Sequence, residues 1–534
     1  MGDLRRWLFA LAMCAAGLSF CGRSGAPDRS DIQLSLSSAA LKLAPGQSGQ
    51  VTVTVRATAA LPGPVVLTMR SAGGAALPDG VSFAFEPPQL SVEEKGEQQT
   101  RLRVALLPDA LVDDYALEVY GRSADREESA KLTISVTGAS TTWQRQIGTP
   151  GTDILSAIAV DKAGNLYVAG YTTAAFGGQV NAGNFDGFLL KYHADGGLEW
   201  AAPLRTSGSD IIAALAVDGE DNVYLAGYTY GAFPGFMPLG SADALLAKFS
   251  PSGQQLWLQQ FGTDQIDQLF GVTVDPKGEV YVVGITEGSF PGQSNAGVAD
   301  MLVMKFHADG QKAWLQQFGT DQPERAGGIA ADGNGIYIVG GTQGALPSFS
   351  AFGLTDGVIA RYQEDGTQTW LRQFGTPGED LLQAVTLDDA GALYVAGSTR
   401  GVFPGQIQYG GTDALLLKYQ PDGTRVYGKQ FGTSYTDSLN AVRFVGGRIY
   451  TAGATRGSFP GQLQAGAQDA FIAWHNKDGG PEWMWQFGSN QSDYASAIAS
   501  KDDTLYFGGV VFGALPKEYA EGDSDGFIIQ SKVH

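Results

Sequence analysis

Trp257-Leu258-Gln259-Gln260-Phe261-Gly262-Thr263, then Gly271-Val272-Thr273-Val274-Asp275, Val280-Tyr281-Val282-Val283-Gly284 and Asp300-Met301-Leu302-Val303-Met304-Lys305-Phe306, spell four short strands in one unit. The segments are rich in β-branched and aromatic residues and are divided by Gly and Asp turn signals, the pattern of consecutive antiparallel strands. Aligned on its leading aromatic, the unit recurs at Trp143, Trp200, Trp257, Trp314, Trp370, Tyr427 and Trp483, at spacings of 57, 57, 57, 56, 57 and 56 residues. Seven four-stranded repeats of this length predict blades around a channel, and an open solenoid stack is the competing arrangement. The ends decide between them. The repeat region opens on a fourth-type strand, Trp143–Ile147, and finishes on a third-type strand, Gly526–Ser531. A ring uses that offset, because the first strand completes the last blade and covers the edges an open array leaves exposed.

The expected fold is therefore all-β: a seven-bladed β-propeller over 142–534, its last blade closed by its first strand. Glycine, at 74 of 534 residues, is about double ordinary usage and has no collagen period, as many tight turns require. Residues 31–138 lack the repeat and read as about seven alternating strands. The pattern is clearest in Val51-Thr52-Val53-Thr54-Val55-Arg56, and it suggests an immunoglobulin-like sandwich acting as a spacer.

Units such as Ala159-Val160-Asp161-Lys162-Ala163-Gly164-Asn165-Leu166-Tyr167-Val168-Ala169-Gly170 resemble the β-propeller repeat family called SBBP, found in exported bacterial proteins. The resemblance implies a fold and an extracytoplasmic setting, and brings no catalytic residues. The N-terminus agrees with export. Arg5 and Arg6 precede an apolar run, Trp7–Phe20, of signal-peptide length, giving a signal peptide over 1–20 and a linker over 21–30. Leu18-Ser19-Phe20-Cys21-Gly22 resembles a bacterial lipobox, which makes Cys21 the lipidation candidate, although Phe20 departs from the small residue usual there. Plain secretion, with cleavage after Ser24-Gly25-Ala26, is the alternative. With only Cys14 and Cys21 in the chain, no internal disulfide or cysteine metal site is expected.

A net charge of −20 disfavours nucleic acid and anionic lipid as partners. Membrane contact is expected only through the lipid anchor, and the chain is expected to be a monomer without cofactor. Two carboxylate sets fall on the face that holds the long loops, here called the top. One opens the first strand of each blade: Asp153, Asp210, Asp267, Glu324, Asp380, Asp437 and Asp493. The other opens the third strand: Asp186, Asp243, Asp300, Asp356, Asp413, Asp469 and Asp525. They form either an acidic rim for a cationic partner or calcium, or loop fasteners accepting hydrogen bonds from backbone N–H groups. Recurrence in every blade favours fasteners, and no DxDxDG calcium spacing is present.

A second recurrent element is Phe-Pro-Gly in the loop before the third strand, at Phe233, Phe290, Phe403 and Phe459. Leu346-Pro347, Leu515-Pro516 and Phe176-Gly177 replace it elsewhere. It is either a docking surface or an inter-blade plug. The residues just beyond these motifs are where ligand specificity is expected. Histidines are few: His193, His307 and His475 are read into the same bottom turn of three blades, and His534 ends the chain. No Ser-His-Asp or histidine metal site can be assembled from them. The functional expectation is a non-enzymatic envelope or secreted binding module presenting its top face to a protein or polysaccharide. The alternative is a carboxylate-dependent glycan-active enzyme, for which Glu324-Arg325 is the sharpest departure from the repeat.

Overall fold

The computed structural model describes residues 31–533, apart from 44–46, 73–76, 79–80, 107–113, 125, 137–138, 177–179 and 517. The signal peptide over 1–20, the linker over 21–30, Cys21 and His534 lie outside the described residues.

The N-terminal β region is two sheets around one apolar core. Ile32–Leu36, Ser48–Ala57, Glu97–Leu106 and Val81–Glu86 pair in that order in one sheet. The other runs Ala40–Leu43, Arg126–Val136, Asp114–Ser123, Val65–Ser71, Gln89–Leu90. In Ser48–Ala57 the alternation works as period-2 patterning requires: Val51, Val53 and Val55 are buried and Arg56 is exposed. The sequence reading missed the short strands Ala40–Leu43 and Gln89–Leu90, which are too brief to show a period.

The repeats form seven four-stranded antiparallel sheets. In blade one, strand A is Asp153–Val160, B Leu166–Thr172, C Asp186–Tyr192 and D Leu198–Leu204, paired in that order. Blades two to six repeat the order. Blade seven has Asp493–Lys501, Thr504–Val511 and Asp525–Val533, and its fourth strand is Ala139–Ile147 from the other end of the repeat region. Ile147 pairs with Gly526 and Trp143 with Gln530. The four residues 139–142, between the sandwich span 31–138 and Trp143, are the first part of this strand, set off by a bulge between Thr141 and Trp143.

Apolar side chains on adjacent sheets meet in seven clusters, one at each blade interface. The cluster joining Leu155, Phe188 and Leu190 of blade one to Ala497, Tyr506 and Ile528 of blade seven closes the ring. Strand A is innermost, and its residues line a central channel.

At five of the seven junctions the aromatic that defines the repeat, a tryptophan, fastens its blade to the next. Trp200 Nε1 donates to the Pro251 carbonyl at 3.2 Å, Trp257 to Ala308, Trp314 to Glu364 and Trp370 to Pro421. Each acceptor lies in the following blade's C–D turn, where a glycine packs on the indole. A Cβ on Gly253, whose φ is +83°, would stand 2.9 Å from the Trp200 ring, so both the turn and the close approach require glycine there. Trp143 makes the same bond to Ala194, from the closing strand to blade one. Trp483 faces blade seven, whose C and D strands are not joined by a turn, and its buried indole N–H has no partner. Tyr427, which replaces the tryptophan in blade five, also lacks the bond, its buried hydroxyl having no partner, so the latch is absent at two of the seven junctions.

Candidate functional site

The strand-A carboxylates do not form a rim. Asp153, Asp210, Asp267, Glu324, Asp380, Asp437 and Asp493 are at most 1% exposed, sealed beneath the D–A loops. Each accepts the backbone N–H of the residue four before it: Thr149, Thr206, Thr263, Thr320, Thr376, Thr433 or Ser489, at 2.5–2.8 Å. The hydroxyl of that same residue is a second donor. In blades one to six strand B ends in a threonine that can add a third, as Thr229 does to Asp210 at 2.5 Å and Thr342 to Glu324 at 2.6 Å; in blade seven, where Val511 stands there, the Phe512 N–H donates to Asp493 at 3.1 Å. Burial raises these carboxyls above the usual carboxylate range despite the donors, Asp210 to about 6. Glu324 has the same partners as the aspartates, so its departure in sequence is not one in role. Arg325 beside it is exposed at the channel mouth.

The strand-C aspartates are likewise buried and tie down the B–C loops. Asp413 accepts from Tyr409 and Gly410 N–H at 2.8 Å and from Gln430 Nε2 at 2.7 Å. Gln430 also takes the Phe403 N–H on Oε1 and donates to the Gly401 carbonyl, both at 2.9 Å. Gln260, Gln317, Gln373, Gln486 and Gln146 repeat this clamp. The Phe-Pro phenylalanines are consequently plugs: Phe233, Phe290, Phe403 and Phe459 are at most 7% exposed. In blade one, Pro203 stands at the position of the clamp glutamine.

His193 and His307 lie in bottom turns, as read. His475 does not. It is the last residue of strand C in blade six, where Phe249 and Phe306 stand in other blades, and it is fully buried. Its Nε2 lies 2.8 Å from Thr451 Oγ1 and its Nδ1 3.3 Å from the Gly479 carbonyl. Burial pushes it down to about 4. The neutral imidazole is therefore favoured when folded, while the unfolded chain takes its proton near pH 6.5. The contribution is fully present above pH 6.5 and is lost as pH falls towards 4, about 3 kcal/mol in all. The raised carboxyls act with the opposite sign, so a difference measurement is needed. We expect His475→Phe/Thr451→Val to gain about 3 kcal/mol over the parent between pH 7 and pH 4 in urea unfolding. An equal pH dependence in both proteins contradicts the assignment.

What the loops leave open is aromatic. Around the channel mouth, Tyr494 of blade seven, Tyr171 and Phe185 of blade one, Tyr228 and Tyr230 of blade two and Phe270 of blade three form a crescent. Tyr171 packs edge-on to Phe185 at 5.4 Å, and Tyr228 touches both Tyr230 and Phe270. Five of the six are half-buried, and Tyr230 is exposed. Burial raises the Tyr171, Tyr228 and Tyr494 phenols, which stay protonated at neutral pH. At the strand-B position of Tyr171 and Tyr228 the other blades have Ile285, Gly341, Ser398, Ala454 and Val510, so the crescent covers one side of the mouth only. The loops 149–152, 173–176, 180–185, 206–209 and 230–242 contain no acidic residue, while the loops at the two ends of the crescent carry Asp264, Glu521 and Asp523. Doubled carboxylates such as Glu220-Asp221, Glu364-Asp365 and Asp388-Asp389 sit on the bottom turns instead. Farther out, B–C loops expose Val180, Met237, Leu354, Ile407, Leu463 and Tyr519.

Sequence reasoning missed the crescent because it followed the constant positions. The signal was there in Ala169-Gly170-Tyr171-Thr172 and Ala226-Gly227-Tyr228-Thr229, where the other blades have a smaller side chain before the threonine. Among the described residues, no group of three or more His, Cys, Asp or Glu side chains is arranged to hold a metal.

The chain is similar to regulatory protein FlaEY of Caulobacter vibrioides, 22% identical over 83% of this chain and 50% of that protein. It is also similar to an uncharacterized WD repeat-containing protein of Acanthamoeba polyphaga mimivirus, 30% identical over 19% of this chain and 8% of that one. The chain thus spans half or less of these curated relatives. Among solved structures, a Synechocystis apocarotenoid oxygenase variant aligns at TM-score 0.38 and 11% identity, over 69% of this chain and 87% of that one. Residues 142–177, from the closing strand into the first blade, match the SBBP family, described as a beta-propeller repeat, and the structure sets seven four-stranded sheets in a closed ring.

Proposed function

We propose that this protein is a non-enzymatic binding or scaffold module, exported to the cell envelope or secreted, that docks a ligand on the top face of its propeller. The aromatic crescent carries the reading. Fold maintenance needs no tyrosine at 171 or 228, since glycine, serine and alanine occupy the same place in other blades. Half-buried tyrosines suit the flat C–H faces and hydroxyls of a polysaccharide, each ring offering an apolar face and a polar tip. The exposed apolar loop tips extend the contact surface outward. A monomer that carries its own complete ring needs no second copy to form this face. Export rests on the N-terminal segment, with Cys21 as the lipid attachment point; mass spectrometry of the purified N-terminal peptide should find a diacylglyceryl adduct on it.

The carboxylates argue against the glycan-active alternative, because Glu324 and its counterparts are buried and held by loop donors. Affinity electrophoresis through gels containing soluble β-glucan, dextran, galactomannan or alginate, with reducing-end assays run in parallel, separates the readings. Retardation by a neutral polysaccharide without product release is the expected result. Product release abolished by Glu324→Gln would establish the enzyme instead, and no retardation by any polysaccharide would leave a protein as the ligand.

A further inference from the structure

The sixth step along strand A past its opening carboxylate is Ala159, Ala216, Thr273, Ala330, Thr386, Arg443 and Ala499 in successive blades. Six blades place a small side chain at this level of the channel, and blade six places a guanidinium. The channel, about 410 Å³, is lined by many alanine and aliphatic residues, with Ser156, Thr273, Thr386, Asn440, Ser496 and Ser500 adding polar side-chain atoms, and the surface it presents is more polar than apolar. No aspartate or glutamate lines it. Arg443 Nε donates to Ser500 Oγ of blade seven at 3.1 Å, and among the described residues Arg443 has no ion pair. Its side chain is exposed to channel water.

Arg443 is the single charged side chain lining the channel, so a small anion entering there meets a cation with no competing carboxylate on the wall. We propose that Arg443 holds a small oxyanion, a phosphate or a carboxylate, inside the channel. The free edge of the guanidinium offers paired N–H donors that match two oxygens of such an ion. Ser500 Oγ, which accepts from Nε, still has its own proton to donate to a third oxygen. The protein's net charge of −20 works against anion capture at long range, so selectivity for the channel comes from this local geometry and the absence of nearby carboxylates.

The test is titration of the full chain by calorimetry with inorganic phosphate, and separately with acetate, at ionic strength held constant with chloride. We expect saturable binding of at least one of the two to the parent protein. Arg443→Ala should weaken it at least tenfold and Arg443→Lys should weaken it less. Alanine occupies this position in four blades, so the fold tolerates it, and Arg443→Thr, matching blades three and five, is the second neutral substitution. No saturable heat from either anion, or equal binding by Arg443→Ala and Arg443→Thr, overturns the proposal. Polysaccharide retardation by the mouth is read separately and should be unchanged by Arg443→Ala, so failure of one reading does not imply failure of the other.

Discussion

Deleting Ala139–Ile147 should abolish the cooperative unfolding transition of the propeller. The strand pairs with Asp525–Val533 at eight positions, from Ala139 against Val533 to Ile147 against Gly526. It also supplies the Trp143 latch to Ala194 and the Gln146 clamp, which takes the Leu515 N–H at 3.0 Å and reaches Asp525 at 2.7 Å. Eight lost ladder positions at about 1 kcal/mol each, with buried groups left unpaired, amount to roughly 5–10 kcal/mol, as much as a typical domain's whole stability. The loss is also topological. Without the strand, the last blade has an unpaired edge carrying Phe527 and Ile529, an invitation to pairing between molecules. Scanning calorimetry should show no transition at the parental midpoint, and a synthetic 139–147 peptide in excess should restore one. A deletion protein that melts like the parent contradicts closure by this strand.

The second large effect is expected at a single residue. Gln430→Ala removes the clamp of blade five and leaves the Phe403 N–H, the Gly401 carbonyl and an Asp413 oxygen without their shared partner. All lie in a region where Gln430 is 4% exposed and Asp413 is fully buried, so water cannot replace the amide without opening the loop. Unsatisfied buried groups cost about 1–3 kcal/mol each, and the small cavity adds to that, giving a loss of about 3–5 kcal/mol. Urea unfolding should show that loss, and proteolysis should begin in the 400–412 loop. An effect below about 1 kcal/mol would show that the glutamine is not the loop's anchor.

These devices explain which parts of the molecule were open to sequence reading. Ring closure was, because a strand-type offset between the two ends survives any error in strand boundaries. The roles of the strand-A carboxylates were narrowed but not decided. The donor four residues before each one, Thr149 before Asp153 or Ser489 before Asp493, was visible, but depth beneath a loop depends on packing between blades. His475 was misplaced because its distance from the opening aspartate of strand C is six residues, against seven for His193 and His307. One residue in a strand moves a side chain from a solvent-facing turn into the core. The crescent and Arg443 were missed for a common reason. Repeat reading rewards what recurs, whereas both features sit where single blades depart from their neighbours.

The central claim is that the tyrosines at the mouth bind a polysaccharide without being needed by the ring. Tyr171→Ser/Tyr228→Ser places in blades one and two the residue found at Ser398 of blade five. Affinity electrophoresis of parent and variant through the polysaccharide that most retards the parent is the most direct measurement, with thermal unfolding as the control. We predict at least a tenfold loss of affinity, since each tyrosine face removed gives up apolar contact worth about 25 cal/mol per Å² buried, with the unfolding midpoint nearly unchanged. Undiminished retardation of a folded variant would contradict the account.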